Sequence, residues 1–464
     1  MASPSNDSSA VFLVTVAANV APLIGVFHLG WSAQTFAVVY AIEVVIAVPF
    51  AGLKALFARR PPNYNELERS RGDGPFKSDE RDGIPVGPSD LNRRRGSVTV
   101  VDPLPPIYPR NVPFVLQAFG AAVGLVGLFL FVLGRFVDVP ATLVDPSVAV
   151  SVVFLVISHV GVVEREYFRK RRHETSTPRD MVASATTEAG VAVVVLMFAI
   201  VGGPTGALVA FVAVKVFVEW RGYRGGAAFD PDGGVGTLPP MAAPDVSPTA
   251  EVRPDRRAVH AAALWRGATS AVSGGPVYLF AWVGLTAGST GAVAATVVCF
   301  VLLPAGIGGL KAVEYALTHG TLAYQRRDDA VVAYDDLTGA VQWATPVEDL
   351  RDVELCEGEF VDRACDTRTF SLMTSAGEYE LSVAHLREYD RAVKAFELPV
   401  KTTAFGPLDR RVAGAAAAVG ACGVAAVAGL AYSAPTIAAI AAGFGGPFGV
   451  VALRSAWQWA IPVA

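Results

Sequence analysis

Few residues in this chain have the types and spacing to do chemistry, and most of them lie inside apolar runs. Glu43 comes first. It stands about nine residues from the start of its run, which at 1.5 Å per residue puts it roughly 13 Å along a helix. A carboxylate at that depth in a membrane must be protonated, paired or facing water. Two roles fit it: a station on an ion or proton path, or an interhelical hydrogen bond with Asn19 or Tyr40. Lys215 and Glu219 stand four apart and share one helix face. They form an interfacial pair, or Lys215 neutralises Glu43 or Glu188. His159 and Glu188 have the donor types of a metal site or a proton relay. The histidines are scattered, however, and no HExxH spacing occurs, so no metal is expected.

Other short patterns are weaker still. Gly288-Ser289-Thr290-Gly291 is not a nucleophile elbow, and no His/Asp pair accompanies it. Gly233-Gly234-Val235-Gly236 lacks the strand and helix of a phosphate loop. The cysteines Cys299, Cys356, Cys365 and Cys422 form no CxxC pair. No catalytic residue and no cofactor is assigned, and the chain is not expected to be an enzyme.

The elements that must position these residues are dominated by lipid-like composition. The chain is 52% hydrophobic and only 17% charged, with a mean hydropathy of +0.44. Soluble domains carry nearer a quarter charged residues. Spanning a hydrocarbon core takes about 20 apolar residues. The candidate runs are 10–30, 35–57, 112–133, 148–163, 181–201, 205–220, 267–286, 290–313, 412–432 and 436–453. Their connections alternate between short turns almost free of basic residues and segments rich in arginine. The basic set holds Arg59, Arg60, Arg93–Arg95, Arg165, Arg169, Arg171, Arg172, Arg221, Arg224, Arg256, Arg257, Arg410 and Arg411. Basic loops stay cytoplasmic. The expectation is therefore an all-α polytopic membrane bundle of about ten transmembrane helices in the cell membrane, with both termini cytoplasmic.

The domains follow from this pattern: a six-helix membrane domain over 10–223 with a disordered loop at 61–110, a disordered linker at 224–257, a membrane hairpin at 266–313, a water-facing module at 314–398 and a last membrane hairpin at 410–453. The module is acidic, with 18 Asp plus Glu against 8 Lys plus Arg. Strand-like runs at 321–325, 330–334, 352–356, 369–373 and 378–383 lead to a helical stripe of Leu386, Tyr389, Val393 and Phe396. This predicts a small cytoplasmic β-barrel or sandwich closed by one helix. The lipid bilayer is the expected partner, with a possible cytoplasmic protein partner for 314–398 and no nucleic acid. Nothing in the sequence specifies an oligomeric state.

Two resemblances add to these observations. Tyr315-Ala316-Leu317-Thr318 with Leu322-Ala323-Tyr324, then Pro346-Val347-Glu348-Asp349-Leu350 and Val353-Glu354-Leu355, resemble the bacterial pleckstrin-homology-like domain. Relatives of that fold often bind phosphoinositides through basic loops. This module is acidic, so that property is not carried over. Asn19-x-x-Pro22-x-x-Gly25, Gly30-Trp31, Tyr40-x-x-Glu43 and Lys215-x-x-x-Glu219-Trp220 resemble domain-of-unknown-function family 6498, a multi-pass family common in haloarchaea. Ala41 departs from its pattern, which has an aromatic after the tyrosine. The excess of arginine over lysine and the acidic module agree with a halophilic source. The resemblance implies membrane embedding and no known chemistry. Three functions remain open: a membrane-anchored interaction or scaffold protein, a transporter or ion/proton-translocating protein using Glu43, and an intramembrane enzyme, which is the weakest because no nucleophile constellation appears.

Overall fold

The computed structural model describes residues 23–28, 30, 32–61, 90–102, 104–133, 145–182, 185, 243–272, 303–356, 360–374 and 380–433, with isolated positions between 203 and 220 and between 449 and 460. The chain forms two compact units. One comprises Met1–Pro62 and Phe114–Thr237, the other Asn63–Pro113 and Leu238–Ala464.

In the first unit, α1 (Ala33–Leu56) starts at Ser32, whose hydroxyl accepts from the Thr35 amide at 3.2 Å. Small residues let its neighbour come close. A β-carbon added at Gly52 would lie 2.9 Å from Ala118 Cβ on α2 (Val112–Leu133). Val38, Tyr40, Val48 and Ala51 share a core with Ala118, Leu125, Leu208 and Phe211. α3 (Pro146–Val162) continues through a π-helical turn, Val163–Arg169, into the short α4 (Arg172–Thr175). The C-terminal ends of α1 and this continuation meet. Tyr167 Oη donates to the Lys54 carbonyl at 2.8 Å, and the Arg59 amide donates to the His173 carbonyl at 2.8 Å. Lys54, Arg59 and Arg60 therefore gather with the arginines of 165–172.

The second unit contains two antiparallel sheets. β1 (Ala250–Val252), β2 (Leu322–Arg327), β3 (Ala330–Asp335) and β4 (Ala340–Pro346) form one in that order. β5 (Leu350–Leu355), β6 (Arg368–Thr374) and β7 (Glu380–Leu386) form the other. Their inner faces share a core of Tyr324, Val331, Ala333, Val353, Phe370, Leu372 and Val383, closed by Ala392 of α8 (Tyr389–Ala395) and by Phe396. α7 (Phe360–Cys365) lies between β5 and β6 in the chain. A pair of antiparallel helices, α5 (Arg256–Val272) and α6 (Leu303–His319), packs so tightly that a β-carbon at Gly267 would sit 2.4 Å from the Gly308 carbonyl oxygen. α9 (Arg410–Ser433) follows.

The all-α bundle of about ten spans is corrected by these findings. Among the described residues only α1 and Val148–Arg169 are long and apolar enough to cross a membrane, and seven strands in two sheets accompany them. Hydropathy measures composition alone, and a buried core helix scores as a membrane helix does. The runs 10–30, 181–201, 205–220, 267–286, 290–313 and 436–453 fall wholly or partly outside the described residues. The two candidate spans are a weak indication of membrane association.

Other boundaries also differ from expectation. α6 runs on to His319, six residues past the expected end of its hairpin. β4 was not anticipated at all. Residues expected to be disordered belong to the second unit: 250–252 pair with Arg326–Tyr324 as an edge strand, and 90–111 form two short helical turns around a Val98–Ile107 bridge.

Candidate functional site

Of the residues singled out in the sequence, Tyr40, Glu43 and His159 lie among the described residues, and Tyr40 and Glu43 are close enough on α1 for the Glu43 charge to act on the Tyr40 hydroxyl. Asn19, Glu188, Lys215 and Glu219 lie outside the described residues. Tyr40 is buried on α1 and stacks with Phe211 at 6.3 Å between centroids. Glu43 is half-buried on the same helix. His159 directs Nδ1 to the Leu155 carbonyl at 3.0 Å, and its ring lies 5.4 Å from Phe50. That contact engages one ring nitrogen within its own helix.

A polar constellation that the sequence did not reveal lies in the second unit. His385 Nδ1 is 2.6 Å from Asp362 Oδ1, and His385 Nε2 is 2.6 Å from Tyr315 Oη. Asp362 also accepts from Thr367 Oγ1 at 2.6 Å, and Thr369 Oγ1 accepts from the His385 amide at 3.0 Å. His319, one turn beyond Tyr315, places its ring 4.4 Å from the tyrosine and 6.2 Å from His385. The Arg266 guanidinium of α5 lies over the Tyr315 ring at 5.0 Å.

Local structure explains the gathering. A register shift between β6 and β7, with Arg368 paired to Leu386 and Phe370 to Val383, marks a bulge. His385 adopts φ 56° there, an uncommon conformation for a non-glycine residue. The bulge lets Val383 and Leu386 both enter the core while His385 turns to Asp362. Tyr315 and His319, four apart, extend from α6 on one face.

Asp362 and His385 are fully buried, and His319 is nearly so. Burial pushes the Asp362 carboxyl up, but hydrogen bonds from His385 and Thr367 outweigh it and hold the group below its ordinary range. For His319, burial and the neighbouring His385 lower the pKa to about 3, so it stays neutral. Acid, imidazole and phenol in series resemble the parts of a nucleophilic relay. Here the phenol is half-buried beneath a guanidinium and the other two groups are fully enclosed. The chain of bonds therefore joins α6 to α7 and β7.

A second buried contact ties in the 90–111 segment. Arg94 Nε binds Asp335 Oδ2 at 2.8 Å, and its other nitrogens reach the Leu317 carbonyl and, at 2.6 Å, Thr321 Oγ1. Asp335 also accepts from the Leu337 amide at 3.0 Å and from Thr338 Oγ1 at 2.8 Å. Both charges are almost wholly enclosed, at 4% and 0% exposure, so each depends on the other.

Among the described residues, no group of three or more His, Cys, Asp or Glu side chains is placed to hold a metal ion. Charge faces outward elsewhere. Asp328, Asp329 and Glu348 are exposed, and the bond from the Val347 amide to the Asp329 carbonyl, 2.8 Å, brings them to one end of the first sheet.

No curated protein and no solved structure matches the chain. Residues 1–226, which include α1 to α4 and the 90–111 segment, match the family model of DUF6498, a family of unknown function.

Proposed function

We propose that this protein is a membrane-associated interaction protein in which α5 and α6 hold a two-sheet module for a protein partner. The single observation behind this reading is the enclosure of Asp362 and His385: the one relay-like constellation among the described residues serves as a joint, so the module offers surfaces to other molecules. The Asp328 carbonyl accepts from Arg326 Nε at 2.6 Å, but the carboxylates of Asp328, Asp329 and Glu348 are exposed and make no ion pair among the described residues, which suits a partner with a basic face. The arginines gathered at the ends of α1 and the α3 continuation favour that end, and the module with both termini, on the cytoplasmic side.

The test is purification of the full chain in mild detergent beside the D328K/D329K/E348K variant. The proposal expects a partner that accompanies the native chain, is released by salt and is lost from the variant. An identical set of copurifying proteins would overturn it. The competing reading, translocation through Glu43, predicts instead that Glu43→Gln abolishes a flux while the protein still accumulates.

A further inference from the structure

We infer that the second unit carries a binding site for a phosphate-bearing anion, in a groove where the β1–α5 junction meets the β7–α8 junction. The groove is shallow and open to solvent, with a volume of about 530 Å³. Five arginines line it: Arg253, Arg256 and Arg257 from the first junction, Arg387 and Arg391 from the second. Guanidinium groups present planar, forked donors that match phosphate oxygens, and they stay charged at any physiological pH.

Three of the five are already held by carboxylates of the same groove. Arg253 binds Glu251 at 2.8 Å, Arg387 binds Asp255 at 3.1 Å and Arg391 binds Glu388 at 2.8 Å. Arg253 reaches Asp336 as well, at 2.6 Å. These pairs take up the charge of three of the arginines. Arg256 and Arg257 remain: both are exposed, and neither has a carboxylate partner among the described residues. They supply the charge left over for a ligand.

The setting sharpens the point. The 314–398 segment carries 18 acidic against 8 basic residues, so a basic groove on this unit stands against its general field. Three of its arginines come from outside that segment, through the short edge strand β1 and the Asp255 cap of α5, whose Oδ1 accepts from the Ala258 amide at 2.9 Å. The ligand class is a phosphoryl group with at least two negative charges, either soluble or on a lipid head.

The test uses the full chain in nanodiscs of pure phosphatidylcholine. Binding of inorganic pyrophosphate and of short-chain phosphatidic acid is measured by calorimetry for the native protein, for the R256A/R257A variant and for the R256K/R257K variant. The site predicts binding of at least one probe, weakened tenfold or more by the alanine pair and less by the lysine pair. Pyrophosphate alone indicates a soluble ligand, and phosphatidic acid alone a lipid head. Equal affinities in native and alanine proteins, or a polyglutamate peptide displacing both probes at lower concentration, would overturn the proposal. Unchanged thermal melting of the alanine pair, expected for two exposed side chains, shows that a loss of binding is local.

Discussion

Asp362 and His385 illustrate how a buried pair is worth less for its attraction than for what its loss exposes. Removing one partner leaves an enclosed charge or donor unsatisfied, which costs about 3–5 kcal/mol. Asp362→Ala should therefore lower the stability of the second unit by that amount in denaturant titrations of the purified chain. A loss under about 1 kcal/mol would mean that the bonds at 2.6 Å do not hold in solution. His319 makes a pH prediction with a definite sign. Its folded pKa, about 3, lies below the ordinary 6.5. Below pH 6.5 the unfolded chain takes up a proton that the folded chain refuses, so stability falls as pH drops from 6.5 toward 3. Asp362 adds a loss in the same direction, but only below its ordinary 3.8. The melting temperature should thus decline between pH 7 and pH 4.5 in the native protein and stay flatter in His319→Phe. Equal slopes would remove His319 as the cause. None of this was legible in the sequence. Tyr315, Asp362 and His385 are separated by 70 and 23 positions along their two bonds, and the bulge that turns His385 inward breaks the strand alternation that sequence reading relies on.

At the scale of elements, what could be read was local and what could not was long-range. β2, β3, β5, β6 and β7 fall where alternation placed them, give or take two or three residues, and α8 takes up the stripe only from Tyr389, because Leu386 ends β7. Their apolar residues face a core, so the period survives in the sequence. β1 and the 90–111 segment carry no such period. They are ordered by partners far along the chain: Arg326, Gln325 and Tyr324 for β1, and Asp335, Leu317 and Thr321 for Arg94. Arg94→Ala should leave Asp335 uncompensated, at a cost of about 3–5 kcal/mol. It should also make the 90–111 segment cleavable by trypsin in limited proteolysis, with resistance equal to the native chain as the contrary result. At the helix pair, Gly267→Ala puts a β-carbon 2.4 Å from the Gly308 carbonyl oxygen. Backbone cannot yield as a side-chain tip can, so α5 and α6 must separate, at about 1–3 kcal/mol. A melting temperature matching the native protein would show that the helices approach less closely.

Over the whole molecule, the count of apolar runs does not carry over into a count of spans. Composition counted apolar runs as spans, whereas position decides whether a run faces lipid or a protein core. The ends of α1 and the α3 continuation bring Lys54, Arg59 and Arg60 to the arginines of 165–172, the grouping on which the proposed orientation rests. Cysteines introduced as Arg171→Cys and Ala340→Cys should both resist a membrane-impermeant thiol reagent in intact cells, and labelling of either would reverse the proposed orientation. The proposed function depends most on the buried joint between α6 and the two-sheet module. Hydrogen exchange of the full chain in detergent, native against Tyr315→Phe, tests it directly. Loss of the Tyr315 hydroxyl should speed exchange in the last turns of α6, in α7 and in β7 together. Faster exchange confined to α6, with β7 unchanged, would contradict the joint.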